Sequence, residues 1–532
     1  MSQIKLLDCT VRDGGYLNDW NFGRSVLIET VQRLANAGID YIEVGFLDDR
    51  RQFDINRSIF PNTECIKTIY SKVDKKKSKL MGMIDFGTCD ISNIEPRETS
   101  FIDGIRVIFK KEKMERAMAF CKQIKELGYE VFSQLVSTTT YEEEDFKRII
   151  ALANEVKPAA LSIVDTYGLM DEVELGRIID RLDSGLDEKI MLGFHAHNNF
   201  QLAFSNASRF LNKHTNRIFL ADGTLYGMGK GAGNAPIELL AHFANKYYQA
   251  SYGINQILEA IDSNILKLFG KNNWGYSMKF YLAGTNRVHP NYLSDYISAG
   301  YLSISEINNI LKDIKEEHKL YYDKNESNRV IEEHANEVSS LSKESINRLT
   351  KELKDQPILL IGPGETLVGE KRKINSFIKS HNPIVMSVNF LPSGYKTNYI
   401  FVTNSRRLCS LLNCDVDKDK KVIATSNLSE ITFKFDYRID NLFLQDNSAA
   451  RDSAIIMALK LLKECSVQSV YLAGFDGYKS SFEENFVNIS NSYGWKEPYP
   501  GFLNSYIRGE IRKISKKMNI EFVTTSMFEN ED

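Results

Sequence analysis

No stretch of the sequence approaches the ~18–20 consecutive apolar residues of a membrane-spanning helix, so no span is predicted. The opening residues, Met-Ser-Gln-Ile-Lys, lack the charged start and apolar core of a signal peptide. Cysteine is scarce, and the 7 cysteines are odd in number, scattered and without C-x-x-C spacing, which argues against a disulfide framework. We therefore expect a cytoplasmic protein in a reducing environment.

The chain also lacks an excess of charge of either sign. Lys+Arg 67 nearly balance Asp+Glu 70, for a formal net charge of −3, so there is no basic footprint for nucleic acid. With 43% hydrophobic and 26% charged residues the composition is that of a globular protein. A length of 532 residues is too great for one core and predicts two or three domains.

Short apolar runs alternate with amphipathic helical segments through the first half of the chain. This alternation predicts repeated βα units and a parallel sheet. The eight predicted strands are residues 4–8, 40–45, 80–85, 104–109, 130–136, 160–165, 190–195 and 217–222. Eight units in about 240 residues match the size of a (β/α)8 TIM barrel.

Polar residues concentrate where these predicted strands end. They are Asp8, Thr10, Arg12, Asp13, Glu43, Asp85, Asp165, Thr166, His195, His197, Asp222 and Thr224. In a closed barrel all of them meet on the C-terminal face, where such folds hold their active sites.

His195 and His197 end the seventh predicted strand at positions i and i+2, so both imidazoles point to the same side. Imidazole pairs are ligands for divalent first-row metals, but a third ligand must come from elsewhere, and two polar residues closing a strand are the alternative interpretation. The glycines of loop 222–234 would let the backbone approach a ligand closely; the alternative is that they only make this loop flexible.

Three motifs together identify a family resemblance. They are Asp8-Cys-Thr-Val-Arg-Asp-Gly-Gly15, His195-Ala-His197-Asn-Asn and Gly227-Met-Gly-Lys-Gly-Ala-Gly-Asn234. The set resembles the metal-dependent lyase and aldolase superfamily of hydroxymethylglutaryl-CoA lyase and isopropylmalate synthase. It is most similar to the 4-hydroxy-2-oxovalerate aldolases, over roughly residues 1 to 300.

The resemblance implies that Asp13, His195 and His197 bind a divalent metal, and that Arg12 is the catalytic arginine. Asn234 stands where some members also approach the metal. A mixed oxygen and nitrogen donor set suits Mn²⁺, with Mg²⁺, Co²⁺ or Zn²⁺ as alternatives. A 2-oxo acid would chelate the ion through its carboxylate and carbonyl oxygens, and Arg12 would stabilise the enolate.

The sequence departs from the aldolase pattern at Tyr16, where the oxovalerate aldolases have a histidine as the base. A phenol with a pKa of roughly 10 is a poor base near pH 7, so we expect Tyr16 to position or donate a proton. Glu43 is expected either to orient Arg12 or to take part in proton transfer. Asp165 and Thr166 are predicted to bind substrate together with Asn234.

The predicted domains are a barrel at residues 1–250, a helical extension at 251–302, a charged helical linker at 303–355 and a Rossmann-like three-layer α/β domain at 356–532. In the extension, His289 or Tyr292 could complete the active site, against the alternative of core packing and a dimer contact. We expect a homo-oligomer.

The C-terminal domain begins with a strand and the loop Gly362-Pro-Gly364. Leu367 stands at the third glycine position of a dinucleotide fingerprint, which argues against a dehydrogenase. This loop and Gly474-Phe-Asp-Gly477-Tyr resemble bacterial sialyltransferase-like domains of surface-polysaccharide pathways, which implies a nucleotide or sugar ligand. A binding or scaffolding domain without catalysis is the alternative.

The leading functional hypothesis is a metal-dependent aldolase joining or cleaving a pyruvate-type enolate and an aldehyde, in sugar-precursor or surface-polysaccharide biosynthesis. One alternative is a Claisen-type acyl transfer from acetyl-CoA to a 2-oxo acid. A second is a non-catalytic binding or assembly protein on a barrel scaffold. The substrates of the leading hypothesis are a small 2-oxo acid and an aldehyde.

Overall fold

The computed structural model describes residues 4–213, 215–270, 273–299, 302–319, 321–411, 420–428, 430, 434–440, 453–479 and 500–529. The chain divides into two compact units, Met1–Pro290 and Asn291–Asp532. Among the described helices, none is long and apolar enough to cross a membrane. The six described cysteines are unpaired, and the seventh, Cys414, lies outside the described residues.

The first unit is a closed parallel barrel. Its strands are β1 (Ile4–Asp8), β2 (Tyr41–Leu47), β3 (Ile59–Phe60), β4 (Lys79–Asp85), β5 (Gly104–Phe109), β6 (Glu130–Leu135), β7 (Ala160–Asp165), β8 (Met191–Ala196) and β9 (Phe219–Gly223). The sheet order is β1-β9-β8-β7-β6-β5-β4-β2-β3, and a parallel pairing of β1 with β2 closes it. The predicted (β/α)8 barrel is confirmed, with the two-residue β3 added beside β2.

Helices surround this barrel and extend it at its C-terminal side. They are Thr10–Asp13, Arg24–Asn36, Thr63–Tyr70, Met114–Glu126, Glu143–Val156, Glu172–Gly185, Ala203–Leu211, Ile237–Tyr248, Ile254–Ala260, Leu266–Phe269 and Met278–Thr285. A π-helical turn, Ile261–Ile265, joins two of them. The apolar faces of the helices up to Leu266–Phe269 pack on the outward side chains of the strands in one continuous core.

The barrel interior is layered because successive side chains of a strand point to opposite faces. Near the N-terminal ends of the strands the interior is apolar, filled by Leu7, Tyr41, Met81, Phe132, Ala160, Met191 and Leu220. Two residues further along, the inward positions become polar and include Glu43, Arg106, Gln134, Ser162 and Asp222, all buried. The barrel therefore has a dry base and an ionic middle layer beneath its C-terminal mouth.

The second unit is a parallel seven-stranded sheet with helices on both faces. Its strands are β10 (Ile358–Ile361), β11 (Ile384–Val388), β12 (Tyr399–Val402), β13 (Lys421–Thr425), β14 (Tyr437–Ile439), β15 (Ser469–Ala473) and β16 (Asn519–Phe522), in the order β14-β13-β12-β11-β10-β15-β16. Its helices are Pro290–Ala299, Ile304–Lys312, Glu316–Lys319, Lys324–Leu353, Thr366–Gly369, Lys371–His381, Ser405–Leu411, Ala454–Glu464 and Pro500–Ser515.

Separate apolar cores cover the two faces of this sheet. The predicted second α/β domain is confirmed as a three-layer parallel sheet. Its strand order reverses direction between β10 and β15, so the loops after these two strands flank the point at which open α/β sheets form a crevice.

Candidate metal centre

Three buried donors meet at the mouth of the barrel. Asp13 ends a one-turn helix directly after β1, whereas His195 lies in β8 and His197 follows it. One ligand atom from each of the three lies within 4.8 Å of the others. An isolated bridge between His197 and Asn234 brings the glycine-rich loop to the same place. Barrel closure thus assembles a set whose members lie far apart in sequence.

The Asp13 carboxylate is held by three donors. Arg12 Nη1 donates to Oδ1 at 2.7 Å, while Asn234 Nδ2 and the Lys230 N–H donate to Oδ2 at 2.5 Å and 3.2 Å. Burial raises the pKa of Asp13, but the charge of Arg12 and the hydrogen bond from Asn234 oppose burial, and the net pKa lies far below its usual range. Asp13 is therefore an anion near neutral pH.

Both imidazoles can offer a lone pair. Burial lowers the pKa of His197 to about 4, so this side chain is neutral near pH 7. His195 Nδ1 lies 3.1 Å from Asp222 Oδ2. Burial raises the pKa of Asp222, but Arg106 and His195 outweigh it and the net pKa is lowered. An ionised Asp222 can only accept, so Nδ1 of His195 carries the proton and Nε2 is available as a ligand.

A chain of buried ion pairs supports these ligands from below. Arg12 Nε donates to Glu43 Oε2 at 2.7 Å, and Arg106 Nη1 lies 3.1 Å from Glu43 Oε1. Arg106 also pairs with Asp222 through Nη2 and donates to Gln134 Oε1 at 2.8 Å. The chain runs from Asp13 through two guanidinium groups to the partner of His195, so it fixes two of the three donors at once.

The donor chemistry fits a divalent cation. One carboxylate and two imidazoles form the set, and the buried Asn234 Oδ1 has no hydrogen-bond partner among the described residues. Such mixed sites suit Mn²⁺ and similar ions. A second group, Cys9, His195 and Asp222, shares His195. Burial holds the pKa of the Cys9 thiol well above its usual range, which disfavours it as a ligand.

The glycine-rich loop must approach these ligands closely. A Cβ on Gly229 would lie 2.1 Å from Asn234 Nδ2 and 2.5 Å from Asp13 Oδ2. We expect Gly229→Ala to lower divalent-metal affinity at least about tenfold, because displaced outer contacts cost about 10–100-fold. Equilibrium dialysis with Mn²⁺ measures this. Gly270→Ala, where a Cβ meets nothing within 4 Å, is the matched control; equal affinities for the two variants would contradict the prediction.

Tyr16 lies at the rim and not among the donors. Its side chain is 45% exposed, and its ring centroid lies 5.0 Å from that of Trp20. Trp20 Nε1 donates to the Arg12 carbonyl at 2.8 Å, and Lys230 Nζ lies 5.3 Å from the Tyr16 ring centroid. Tyr16 can therefore reach solvent or a substrate, and its role in proton positioning stays a prediction.

Asp165 and Thr166 hold the loop after β7. Asp165 Oδ1 accepts from the Leu169 N–H and Oδ2 from the Met170 N–H, both at 3.1 Å. Thr166 Oγ1 accepts from the Ser137 N–H at 2.8 Å. These contacts make both side chains part of the loop framework, and their predicted contact with substrate remains a prediction.

Asp165 predicts a pH-dependent contribution to stability. Burial raises its pKa from 3.8 to about 7, so the folded protein binds this proton more tightly than the unfolded chain. The contribution is full below about pH 4 and is lost as pH rises through about 7. The stability deficit of Asp165→Asn should therefore shrink between pH 5 and pH 8, by on the order of 2 kcal/mol. Urea unfolding measures it, and a deficit independent of pH would contradict the assignment.

Tyr292 and His289, the two residues predicted as candidates to complete the active site, lie in different units of the protein. The Tyr292 hydroxyl donates to the His318 carbonyl and accepts from the Asp323 N–H, each at 3.0 Å, within the second unit. These contacts favour packing for Tyr292. His289 belongs to the first unit, where the charges of Lys230 and Lys279 act on it.

Sequence reasoning missed Arg106 and Lys230. Arg106 is a single charged residue in an otherwise apolar strand. Because a barrel strand has no solvent-exposed face, such a charge must be paired with another charge inside the barrel. In the sequence, Lys230 is one residue of a glycine-rich loop, and no separate role was predicted for it. A cation between closely spaced glycines at a barrel mouth was the available signal.

The comparisons with known proteins agree on the first unit. Residues 3–262 match the family model described as HMGL-like. An oxaloacetate decarboxylase of Mycobacterium tuberculosis is 26% identical over 321 residues, which cover 57% of this chain and 89% of that protein. A 4-hydroxy-2-oxovalerate aldolase of Pelotomaculum thermopropionicum is 26% identical over 261 residues, which cover 48% and 75% of the two chains.

Among solved structures, an HMG-CoA lyase from Brucella melitensis matches with a TM-score of 0.41 and 14% identity, over 49% of this chain and 96% of the lyase. The sequence relatives support a carbon–carbon lyase or aldolase activity in general terms. The N-terminal barrel, at residues 3–262, is an HMGL-like domain.

Proposed function

We propose that this protein is a divalent-metal-dependent aldolase that forms or cleaves a bond between a pyruvate-type enolate and an aldehyde. The observation that carries the proposal is the buried set of Asp13, His195 and His197 beside the paired guanidinium of Arg12. These three residues would hold the ion, which when bound would polarise the carbonyl of a 2-oxo acid.

Arg12 is the group of this chain that faces the developing charge. Its Nε and Nη1 are committed to Glu43 and Asp13, which fixes the plane of the guanidinium. Its remaining N–H groups are available to an enolate oxygen. A donor fixed before the reaction stabilises such an oxyanion without reorganisation, typically by about 3–4 kcal/mol.

We assign the transfer of the substrate hydroxyl proton to residues at the rim of the barrel. In the cleavage direction a hydroxyl proton of the substrate must leave as the carbon–carbon bond breaks, and in the synthetic direction it must return. Tyr16 is half-exposed beside Lys230, and we assign it to holding that hydroxyl. Tyr16→Phe should then lower turnover of aldol substrates more than it lowers enolisation of pyruvate.

The test is turnover by the full-length chain. Pyruvate is incubated with a panel of aldehydes and each of Mn²⁺, Mg²⁺, Co²⁺ and Zn²⁺, and products are followed by mass spectrometry. The proposal predicts condensation that requires a metal ion and no acetyl-CoA. Turnover only with acetyl-CoA, accompanied by release of free thiol, would instead identify acyl transfer, and no turnover with bound metal would leave a binding protein.

Oxaloacetate decarboxylation is the second candidate, favoured by the relative that matches 321 residues of this chain. Breaking the bond to the departing carboxylate releases carbon dioxide and leaves the same pyruvate enolate, so the same residues would serve. Following oxaloacetate by its absorbance, with a metal-only blank for spontaneous loss, separates the two. Faster turnover of oxaloacetate than of any aldol substrate would favour decarboxylation.

For the second unit we propose a nucleotide or sugar ligand. The proposal is supported by the position of Gly362-Pro-Gly364 and Gly474–Gly477 after β10 and β15, where the strand order reverses. Asp476 bridges the two loops by accepting from the Thr366 N–H at 2.9 Å. Thermal shifts of the full chain with nucleotides, nucleotide sugars and free sugars test it; no shift with any class at millimolar concentration would contradict it.

A further inference from the structure

Three basic side chains converge beside the candidate metal centre. Lys230 belongs to the loop after β9, and its backbone N–H donates to Asp13. Lys279 lies on helix Met278–Thr285, and His289 follows that helix. The pKa of His289 is lowered to about 4, first by burial and then by the charges of Lys230 and Lys279. Lys230 and Lys279 are therefore each near enough to act on His289.

Helix Met278–Thr285 packs on the mouth of the barrel. The ring of Tyr281 stacks on Phe200 with 5.4 Å between centroids and 19° between planes. A Cβ on Gly284 would lie 3.2 Å from the Tyr167 carbonyl oxygen and 3.6 Å from Asn199 Nδ2. Since Tyr167 follows β7, and Asn199 and Phe200 follow β8, this helix packs at the rim of the site, and Lys279 lies in its first turn.

The ammonium of Lys230 is set against an aromatic face. Nζ lies 5.3 Å from the Tyr16 ring centroid, and no carboxylate oxygen of the described residues lies within 4.0 Å of it. Burial lowers the pKa of Lys230, while Asp13 and Asp85 act on it from a distance. A half-buried cation without a close carboxylate attracts an anion.

We propose that the aldehyde taken by this barrel carries an anionic group, a carboxylate or a phosphate, which Lys230, Lys279 and His289 hold beside the metal centre. The inference rests on the proposed aldolase function and names its acceptor class. Lysine binds carboxylate or phosphate as a point charge, so this cluster selects for charge. The ring of Tyr16 lies beside the ammonium of Lys230 and is itself exposed to solvent.

The test compares aldehydes in matched pairs with the metal-loaded full-length protein and pyruvate. Glyceraldehyde is paired with glyceraldehyde 3-phosphate, and butyraldehyde with succinic semialdehyde. The anionic member of at least one pair should have a kcat/KM about tenfold higher or more, as for a charge-assisted contact. The pair that shows the preference identifies phosphate or carboxylate. Equal or better turnover of the neutral member in both pairs would overturn the inference.

Variants separate this cluster from general effects. Lys230→Gln and Lys279→Gln should each lower the ratio of anionic to neutral kcat/KM about tenfold, mainly through KM. Lys246→Gln is the matched control, because Lys246 is exposed on an outer helix with its ammonium 4.9 Å from the Tyr247 ring centroid. Unchanged ratios in both site variants would overturn the inference. Exchange of pyruvate methyl protons, measured without aldehyde, distinguishes failure of the proposed function from failure of this inference alone.

Discussion

Replacing His197 by alanine is expected to lower divalent-metal affinity more than about 100-fold and to abolish metal-dependent turnover, since even an outer partner of a ligand is worth about 10–100-fold. His197 offers a neutral imidazole near pH 7, because burial lowers its pKa to about 4. Alanine leaves one imidazole and one carboxylate, too few to hold the ion. Metal content after dialysis and turnover with added Mn²⁺ measure the two effects.

His242 provides the control for this substitution. It is exposed on helix Ile237–Tyr248, on the outside of the barrel. His242→Ala should leave metal content unchanged and alter stability by less than ~0.5 kcal/mol. If His197→Ala retained full metal content and turnover, the ligand assignment would be wrong, and the alternative group at Cys9, His195 and Asp222 would have to be tested.

Replacing Arg106 by methionine is expected to destabilise the first unit by about 3–5 kcal/mol. Arg106 is fully buried between Glu43 and Asp222, and methionine keeps the apolar volume but removes the charge. Two carboxylates then lose their shared counter-ion inside the barrel, where water cannot replace it. Urea unfolding followed by tryptophan fluorescence reports mainly on this unit, because Trp20 and Trp274, two of the three tryptophans of the sequence, lie in it.

An exposed ion pair gives the matched control. Arg148 lies 3.0 Å from Glu115, with side chains 55% and 51% exposed, and Arg148→Met should cost less than about 1 kcal/mol. Adding Asp222→Asn to Arg106→Met should recover part of the loss, since one stranded carboxylate is removed. Equal losses for Arg106→Met and Arg148→Met would show that the buried chain of ion pairs does not support the barrel.

The barrel was predictable because both faces of each strand are buried, which leaves continuous apolar runs in the sequence. The predicted strands coincide with β1, β2 and β4–β9 to within two residues at each end. The strands that escaped prediction are short or at an edge. β3 has two residues, β14 has three, and β16 lies at the edge of its sheet with alternate residues exposed. Each of these strands is too short for its apolar pattern to stand out in the sequence.

The candidate site was predictable to the extent that its residues follow strand ends. Asp13, His195 and His197 were expected on one face, and the closed sheet brings them together. The ion pairs that support these three residues were not predictable. The pairing of Arg106 with Asp222 depends on which inward-facing residues of strands distant in sequence lie in the same layer of the barrel. The cluster around Lys230 depends on how helix Met278–Thr285 packs, which no local pattern indicates.

The most direct test of the proposed chemistry is exchange of the pyruvate methyl protons with solvent deuterium, followed by proton NMR. Enolisation needs the metal centre, Arg12 and a base or water molecule that takes up the methyl proton, but it needs no aldehyde, so none need be known. Metal-loaded full-length protein should exchange the methyl signal, and the chelator-treated protein and His197→Ala should not. Absence of exchange in protein shown to hold one divalent ion at Asp13, His195 and His197 would contradict the assignment of this barrel as a pyruvate-enolising aldolase.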